Sequence, residues 1–176
     1  KYGATFKARY DQTELKVGEL WLDLPITSVD ASRQLLSSYW GGQLQSKITD
    51  QFKLELGRVE QVSPRYQEGF HRFSYTVNGK KHESEGLNYV DLKYDLTPNL
   101  KAEYYYGDLE DLYDKHYVGL EYSWKNEYLK SQTRLKYFRS QDSGDAKAGE
   151  IDNHNFGILE KIFVGNHNAA LGYQQI

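Results

Sequence analysis

The chain has no cysteine and no long run of apolar residues. The absence of cysteine excludes disulfide frameworks, thiol catalysis and cysteine-based zinc sites. No stretch approaches the ~18 consecutive apolar residues that a transmembrane helix needs. The net charge is only −3 over 176 residues, so nucleic acid is not an expected partner.

Proline is also scarce, and Pro25, Pro64 and Pro98 all fall between segments of alternating polarity. Proline cannot donate to a sheet, so this placement favours strands on either side of each proline. Aromatic residues are abundant instead, at 15% of the chain. Such an excess is typical of the aromatic girdles of a transmembrane β-barrel, with an aromatic-rich soluble β-sandwich as the alternative.

Apolar and polar residues alternate with a period of two along most of the chain. The clearest case is 116–124, where Val118, Leu120, Tyr122 and Trp124 share one face, which we assign as outward. We predict about ten strands of this kind. They are 4–10, 14–20, 42–48, 52–61, 87–95, 100–106, 116–124, 129–139, 155–163 and 169–176.

The connections between these strands alternate strictly between short and long. The short ones are 11–13, 49–51, 96–99, 125–127 and 164–167, and the long ones are 22–41, 62–86, 107–115 and 139–152. Antiparallel strands send every second connection to the same side, so all long loops fall on one rim. Outer-membrane barrels have this asymmetry. The sequence therefore predicts an all-β fold, an antiparallel transmembrane β-barrel.

Two features depart from the simple pattern. Segment 70–77 alternates like a strand, but counting it as a wall strand would move every later tight turn to the wrong rim. We therefore assign it to the 62–86 loop, as a small hairpin closed by Asn78 and Gly79. Glu160 interrupts the outward apolar face, and a bend near the rim is the explanation that the pattern offers.

The faces predicted to point inward are rich in basic residues. They are Lys7, Arg9, Lys16, Lys47, Lys53, Lys93, Lys101, Lys130, Arg134 and Lys136. In a water-filled lumen these would attract anions, because a low-dielectric wall focuses their field. The alternative is an ordinary solvated face, neutralised in part by Glu55, Asp91, Glu103 and Glu121. The candidates that we select as pore-lining are Lys7, Arg9, Lys16, Lys130, Arg134 and Lys136.

Loop 22–41 carries too much apolar surface for a free solvated loop, so we expect it to fold into the lumen. Arg33 would then stand in a constriction as a planar donor suited to carboxylate, with Ser32 and Asp30 beside it. The alternative is an arginine that pins the loop to an inward carboxylate.

Neither a metal nor a cofactor is predicted. The acidic run at Asp108, Glu110, Asp111 and Asp114 lacks calcium-loop spacing, so a solvated loop is the preferred interpretation. No nucleophile elbow, phosphate-binding glycine loop or zinc motif is present.

Several runs resemble the OprD family of substrate-specific outer-membrane channels. The most specific are Tyr-Tyr-Gly-Asp-Leu-Glu-Asp at 105–111 and Lys-Ala-Gly-Glu-Ile at 147–151. The others are 15–19, Pro25, 32–33, 43–46 and 171–174. The resemblance implies a barrel of about eighteen strands, of which residues 1–176 would be one partial domain of about ten. The interrupted pattern at both ends agrees with a fragment, which would otherwise carry two unpaired edges.

The resemblance also implies a function. Members of the family are not enzymes but pass small carboxylate-bearing solutes passively, including amino acids, aromatic acids and related antibiotics. Loop 22–41 resembles their inward-folded constriction loop, in which Ser32 and Arg33 match a Ser-Arg pair, and 62–86 resembles a second pore loop that contributes Tyr75. The expected setting is the outer membrane, with lipid and lipopolysaccharide as neighbours and a monomer or weak trimer as the assembly.

Two other hypotheses remain open. A complete ten-stranded, omptin-like protease would use Asp108, Glu110, Asp111 and His116. A soluble barrel that binds an apolar ligand is disfavoured by the outward band on 116–124.

Overall fold

The computed structural model describes residues 3–25, 37–64 and 68–176, and most of the described residues lie in β-strands. The strands are β1 Thr5–Tyr10, β2 Thr13–Leu20, β3 Ser38–Lys47, β4 Phe52–Ser63, β5 His71–Arg72, β6 Ser74–Val77, β7 Lys80–Glu83, β8 Leu87–Thr97, β9 Leu100–Leu109, β10 Tyr113–Lys125, β11 Lys130–Asp142, β12 Asp152–Val164 and β13 His167–Gln175. In the described part of the chain, no helix has the length and apolar character needed to cross a membrane.

Ten of these strands form one antiparallel wall in the order β1-β2-β3-β4-β8-β9-β10-β11-β12-β13. The wall confirms the predicted all-β, antiparallel fold. Each strand pairs with its neighbour along the chain, except that β4 passes over β5–β7 to pair with β8. We call the side with the tight turns the lower rim, and the side with the connections 21–37, 64–86, 110–112 and 143–151 the upper rim.

The assignment of 70–77 to a loop is confirmed. β6 pairs with β7 in a separate two-stranded sheet, and the short β5 pairs with the edge of β4 near the upper rim. Asn78 and Gly79 both have positive φ, at 50° and 77°, as the tight turn of a two-residue hairpin requires.

The prediction of a long connection at 107–115 is wrong. β9 continues to Leu109 and β10 begins at Tyr113, so only three residues join them. Asp108 looks like a loop residue in the sequence, but it pairs with Asn88 on one side and with Asp114 on the other. Pairing with the neighbouring strands extends β9 and β10 beyond the point where the alternation of apolar and polar residues ends in the sequence. For the same reason, the connection predicted at 139–152 covers only 143–151 in the structure. β3 likewise includes residues 38–41, which were predicted to belong to loop 22–41.

The two faces of the wall have opposite character. The predicted outward residues Val118, Leu120, Tyr122 and Trp124 are exposed on one face, as expected for a surface in contact with lipid. The opposite face, which we call the inner face, carries the buried Tyr89, Tyr105 and Tyr117. Register aligns the apolar side chains across strands, as in the row Leu44, Leu56 and Val90.

The apolar core lies on the inner face, around the end of β2. Leu22 is 0% exposed and Leu24 is 3% exposed, and both belong to the cluster that contains Leu20, Tyr89, Tyr105 and Tyr117. Burying one leucine side chain contributes about 1.5–3 kcal/mol. Residues 22–24 are therefore anchored on the wall from inside.

Two glycines make room for the buried tyrosines. A Cβ on Gly107 would lie 2.3 Å from Tyr105 Oη, and one on Gly119 would lie 2.4 Å from Tyr117 Oη. Each ring therefore lies across a glycine two residues further along its own strand. Any larger residue at these glycines would displace a fully packed ring.

Glu160 has a local explanation that the sequence pattern did not provide. Its two carboxylate oxygens accept hydrogen bonds from Ser131 Oγ and Thr133 Oγ1 of β11, each at 2.5 Å. These are the polar residues that interrupt the outward face of that strand. The three side chains satisfy one another, so no bend is needed to explain the break in the apolar band.

Candidate functional site

The inner face holds a cavity of about 390 Å³ towards the lower rim, which we call the lower cavity. Side chains from β4, β8, β9, β10 and β11 contribute to it, and five are basic while three are acidic. The charged residues are Lys53, Lys93, Lys101, Arg134, Lys136, Asp95, Glu103 and Glu121. Its lining therefore carries an excess of positive charge at neutral pH.

Two groups of ion pairs fix half of these eight charges. Lys93 Nζ lies 3.0 Å from Asp91 Oδ2 and 3.3 Å from Glu103 Oε1, and Asp91 is only 1% exposed. Arg134 Nε donates to Glu121 Oε2 at 2.6 Å. Both groups follow from register, since Glu103 lies opposite Lys93 and Glu121 lies opposite Arg134.

Lys136 differs from these cations. It lies opposite Gly119 on β10 and Gly157 on β12, so neither neighbouring strand places a carboxylate directly beside it. Within the described residues, no carboxylate comes within ion-pair distance of its ammonium. It lines the lower cavity and also two smaller ones, which makes it the most available of the predicted pore-lining cations.

The other predicted cations all lie on the inner face. Arg9 and Lys16 both pair with Glu14, at 2.6 and 2.9 Å. Lys7 lies opposite Lys16 on the neighbouring strand. Lys130, at the lower rim, places its ammonium 5.6 Å from the ring centre of Phe163. Glu14 neutralises part of this basic lining, so both the basic lining and its partial neutralisation are present.

A second cavity of about 600 Å³, the upper cavity, lies on the inner face near the upper rim. Its lining combines wall strands with β5 and the residues before the hairpin. The residues are Tyr39, Val62, Pro64, His71, Arg72, Phe73, Ser74, Lys81, Leu87, Gly107, Leu109, Tyr113 and Lys115. Basic and aromatic side chains dominate it, and no carboxylate is among these described lining residues.

Residues 23–25 lie over the inner face between these two cavities. Asp23, Leu24 and Pro25 line a further space of about 200 Å³ together with Tyr117 and Lys136. The start of loop 22–41 thus covers the tyrosines of the inner face. A route along the inner face from the upper cavity to the lower one would pass segment 22–25.

Of the four predicted constriction residues, the structure describes Tyr75. Asp30, Ser32 and Arg33 lie outside the described residues. Tyr75 is on β6, where it pairs with His82 across the hairpin and is 51% exposed.

The acidic run at the upper rim is divided among separate partners. Glu110 accepts from Arg58 Nη1 at 2.6 Å and from Asn88, and Asp111 pairs with Lys147 Nζ at 2.5 Å. The Arg58 and then the Asn88 hydrogen bonds lower the pKa of Glu110, and the Lys147 and then the Asp145 hydrogen bonds lower the pKa of Asp111.

The protease candidates are engaged with different partners. Asp108 accepts from Ser143 Oγ at 2.6 Å, and His116 Nδ1 is hydrogen-bonded to Tyr104 Oη on the outward face. The backbone N–H of Lys147 also donates to the carbonyl oxygen of Asp111 at 2.9 Å. The two most specific sequence runs, 105–111 and 147–151, therefore meet at the upper rim and lock the turn 110–112 to the connection 143–151.

Sequence comparison identifies relatives along the whole chain. The profile of a family described as "outer membrane porin, OprD family" matches residues 1–176. Porin D of Pseudomonas aeruginosa is 29% identical over 179 residues, covering 99% of this chain and 39% of that protein. The porin-like protein GalP of Pseudomonas putida is 29% identical, covering 97% of this chain and 42% of its own length.

Solved structures agree in fold. Acinetobacter baumannii OccAB4 superposes with a TM-score of 0.94 at 58% identity, covering 99% of this chain and 44% of that one. Pseudomonas aeruginosa OpdK, solved with vanillate, has a TM-score of 0.90 at 29% identity and is covered to 46%. The chain thus spans less than half the length of these relatives.

Proposed function

This chain belongs to the OprD family of outer membrane porins, and we propose that the protein to which it belongs is a passive channel for small carboxylate-containing solutes. Its relatives are porins of the outer membrane and not enzymes, so the omptin-like protease hypothesis is not favoured. The ten described wall strands form an antiparallel sheet of the kind that builds such barrels.

The observation that carries the proposal is the excess of basic side chains around the lower cavity. A cation in a lumen with a low-dielectric wall attracts anions more strongly than the same cation in open water. Lys136, opposite two glycines, would make the most direct contact with a passing carboxylate. The paired cations would contribute weaker attraction, so that the solute can leave again.

The proposed constriction is loop 22–41, which begins where Leu22 and Leu24 are buried against the inner face. In this proposal Arg33 pairs with the carboxylate, and Ser32, Asp30 and Tyr75 shape the opening. Segment 62–86 acts as the second pore loop. The exposed apolar face of the wall supports contact with outer-membrane lipid and lipopolysaccharide, and the proposed assembly is a monomer or weak trimer.

The test compares the full-length wild-type protein with Arg33→Ala in planar bilayers that contain small carboxylates. Loss of a charge-assisted contact should lower carboxylate selectivity roughly tenfold, since such a bond contributes about 1.5–3 kcal/mol. Arg139→Ala is the matched control, because Arg139 lies on the outward face.

Three outcomes are distinguishable. Selectivity lost only in Arg33→Ala would support the channel and the role of Arg33. Selectivity unchanged in Arg33→Ala would overturn the role of Arg33 but keep the channel. The absence of discrete conductance in the wild type would overturn the channel itself.

A further inference from the structure

We infer that the upper cavity is a capture site for aromatic carboxylates, through which solutes pass before the proposed constriction. This inference rests on the proposed function, because it concerns the order in which a solute meets the channel. The site consists of the upper-cavity residues; it includes Tyr39 from the end of loop 22–41 but no residue of segment 22–25 or of the lower cavity. Its volume of about 600 Å³ lies within the ordinary range of small-molecule sites.

The site has four basic side chains, and three of them already interact with neighbouring groups. Lys81 Nζ pairs with Glu83 at 2.7 Å, and His71 Nε2 is 2.9 Å from the carbonyl oxygen of Glu68. Glu83 also interacts electrostatically with Arg72. These three side chains therefore offer only partial attraction to an anion.

Lys115 is the cation that remains available. It lies opposite Gly107 on β9 and Ser140 on β11, so neither adjacent strand presents a carboxylate to it. No carboxylate among the described residues lies within ion-pair distance of its ammonium. Its ammonium lies over the ring of Tyr113, with Nζ 5.8 Å from the ring centre. A carboxylate bound here would gain a charged partner without displacing an existing ion pair.

The walls of the site suit an aromatic ring. Tyr39 and Phe73 stack with their ring centres 6.3 Å apart and their planes 18° apart, and Tyr113 stands across the cavity lining from β10. Val62 and Leu87 add apolar surface. Aromatic rings prefer offset stacking or edge contacts with other rings, which an aliphatic chain cannot make. The site therefore distinguishes aromatic acids from aliphatic acids of equal charge.

The lower cavity lacks this combination. Its charged side chains include the paired Arg134 and Glu121 as well as the trio around Lys93, and its lining is mainly charged. It can attract a carboxylate but offers little aromatic surface for a ring. Discrimination between aromatic and aliphatic acids is thus assigned to the upper cavity, and attraction of anions in general to the lower one.

The test measures block of ion current through the full-length protein by benzoate, cyclohexanecarboxylate and propionate. In the wild type, benzoate should half-block at a concentration roughly fivefold below that of propionate, with cyclohexanecarboxylate between them. Lys115→Gln should raise the benzoate concentration needed for half-block about tenfold. Phe73→Leu keeps apolar volume but removes a ring, so it should bring benzoate close to cyclohexanecarboxylate.

Lys80→Gln, an exposed position on β7 outside the cavity lining, is the matched control and should change none of these values. Equal block by all three acids in the wild type would overturn the inference, as would a benzoate preference that survives both Lys115→Gln and Phe73→Leu. Either result could coexist with carboxylate selectivity that depends on Arg33, so failure here is separable from failure of the proposed channel. If no current is seen, calorimetric titration of benzoate into the detergent-solubilised protein decides the inference by the same comparison of variants.

Discussion

The upper and lower cavities occupy the same inner face but are built in different ways. The lower cavity is lined by wall strands, and strand register places each carboxylate beside its cation. The upper cavity also needs β5 and residues 73–74, which lie outside the wall, and its principal cation faces glycine and serine. Register in the wall thus places a cation beside each carboxylate of the lower cavity, while the inserted loop adds aromatic and apolar side chains to the upper cavity.

The boundary between the cavities rests on a few buried side chains. Segment 22–25 lies across Tyr117 and Lys136 and is held by Leu22 and Leu24. We expect that loss of this anchor would join the two cavities into one continuous space.

The largest effect is expected from removing that anchor. Leu22→Ala and Leu24→Ala should each cost about 2–5 kcal/mol of the free energy that holds the segment on the wall. Detachment should raise single-channel conductance and weaken carboxylate selectivity in the full-length protein. Trp21→Ala is the control, since Trp21 is 69% exposed and should leave both unchanged. Unchanged conductance in both leucine variants would show that segment 22–25 does not narrow the route.

Two substitutions in the lower cavity should change anion selectivity less strongly and in opposite directions. Glu121→Gln releases Arg134 from its pair and should increase anion selectivity, whereas Arg134→Gln leaves Glu121 uncompensated and should decrease it. Because both side chains are partly exposed, each shift should be about two- to fivefold. Reversal potentials in a salt gradient measure the anion selectivity. Glu60→Gln on the outward face is the control. Shifts of the same sign in both variants would contradict the assignment.

The smallest effect is expected at the upper rim, on lowering the pH. Hydrogen bonds hold the pKa of Asp111 below its ordinary value, so its stabilisation is complete above the unfolded-state pKa. It is lost only as the pH falls through the lower folded-state pKa. The protection of residues 143–151 against hydrogen exchange, relative to an unfolded chain at the same pH, should therefore stay high from about pH 7 down to the ordinary carboxyl range and then fall. Asp111→Asn should remove this dependence, and a dependence that persists in that variant would assign it to another group.

Much of the wall was predictable because alternation reports directly on which side of a sheet a residue faces. The ten strands, the hairpin at 74–83 and the outward band on β10 all follow from it. The 107–115 connection was not predictable in the same way, since Gly107 and Asp108 belong to the ladder only through their neighbours on β8 and β10. The polar break at Glu160 was visible in the sequence, but its reason lies in two hydroxyls of the adjacent strand.

The sequence by itself determined the two-faced wall and the sign of its inner lining, because a period of two needs no knowledge of distant residues. Only the tertiary structure decided which cations are paired and which are available. Lys93 and Lys136 look alike in the sequence, yet one faces Glu103 and the other faces two glycines. The upper cavity likewise exists only because residues 71–74 fold back over β4, where they meet Lys115 from a strand more than forty positions later. Pairing and enclosure depend on register between strands and on loop placement, which local alternation does not encode.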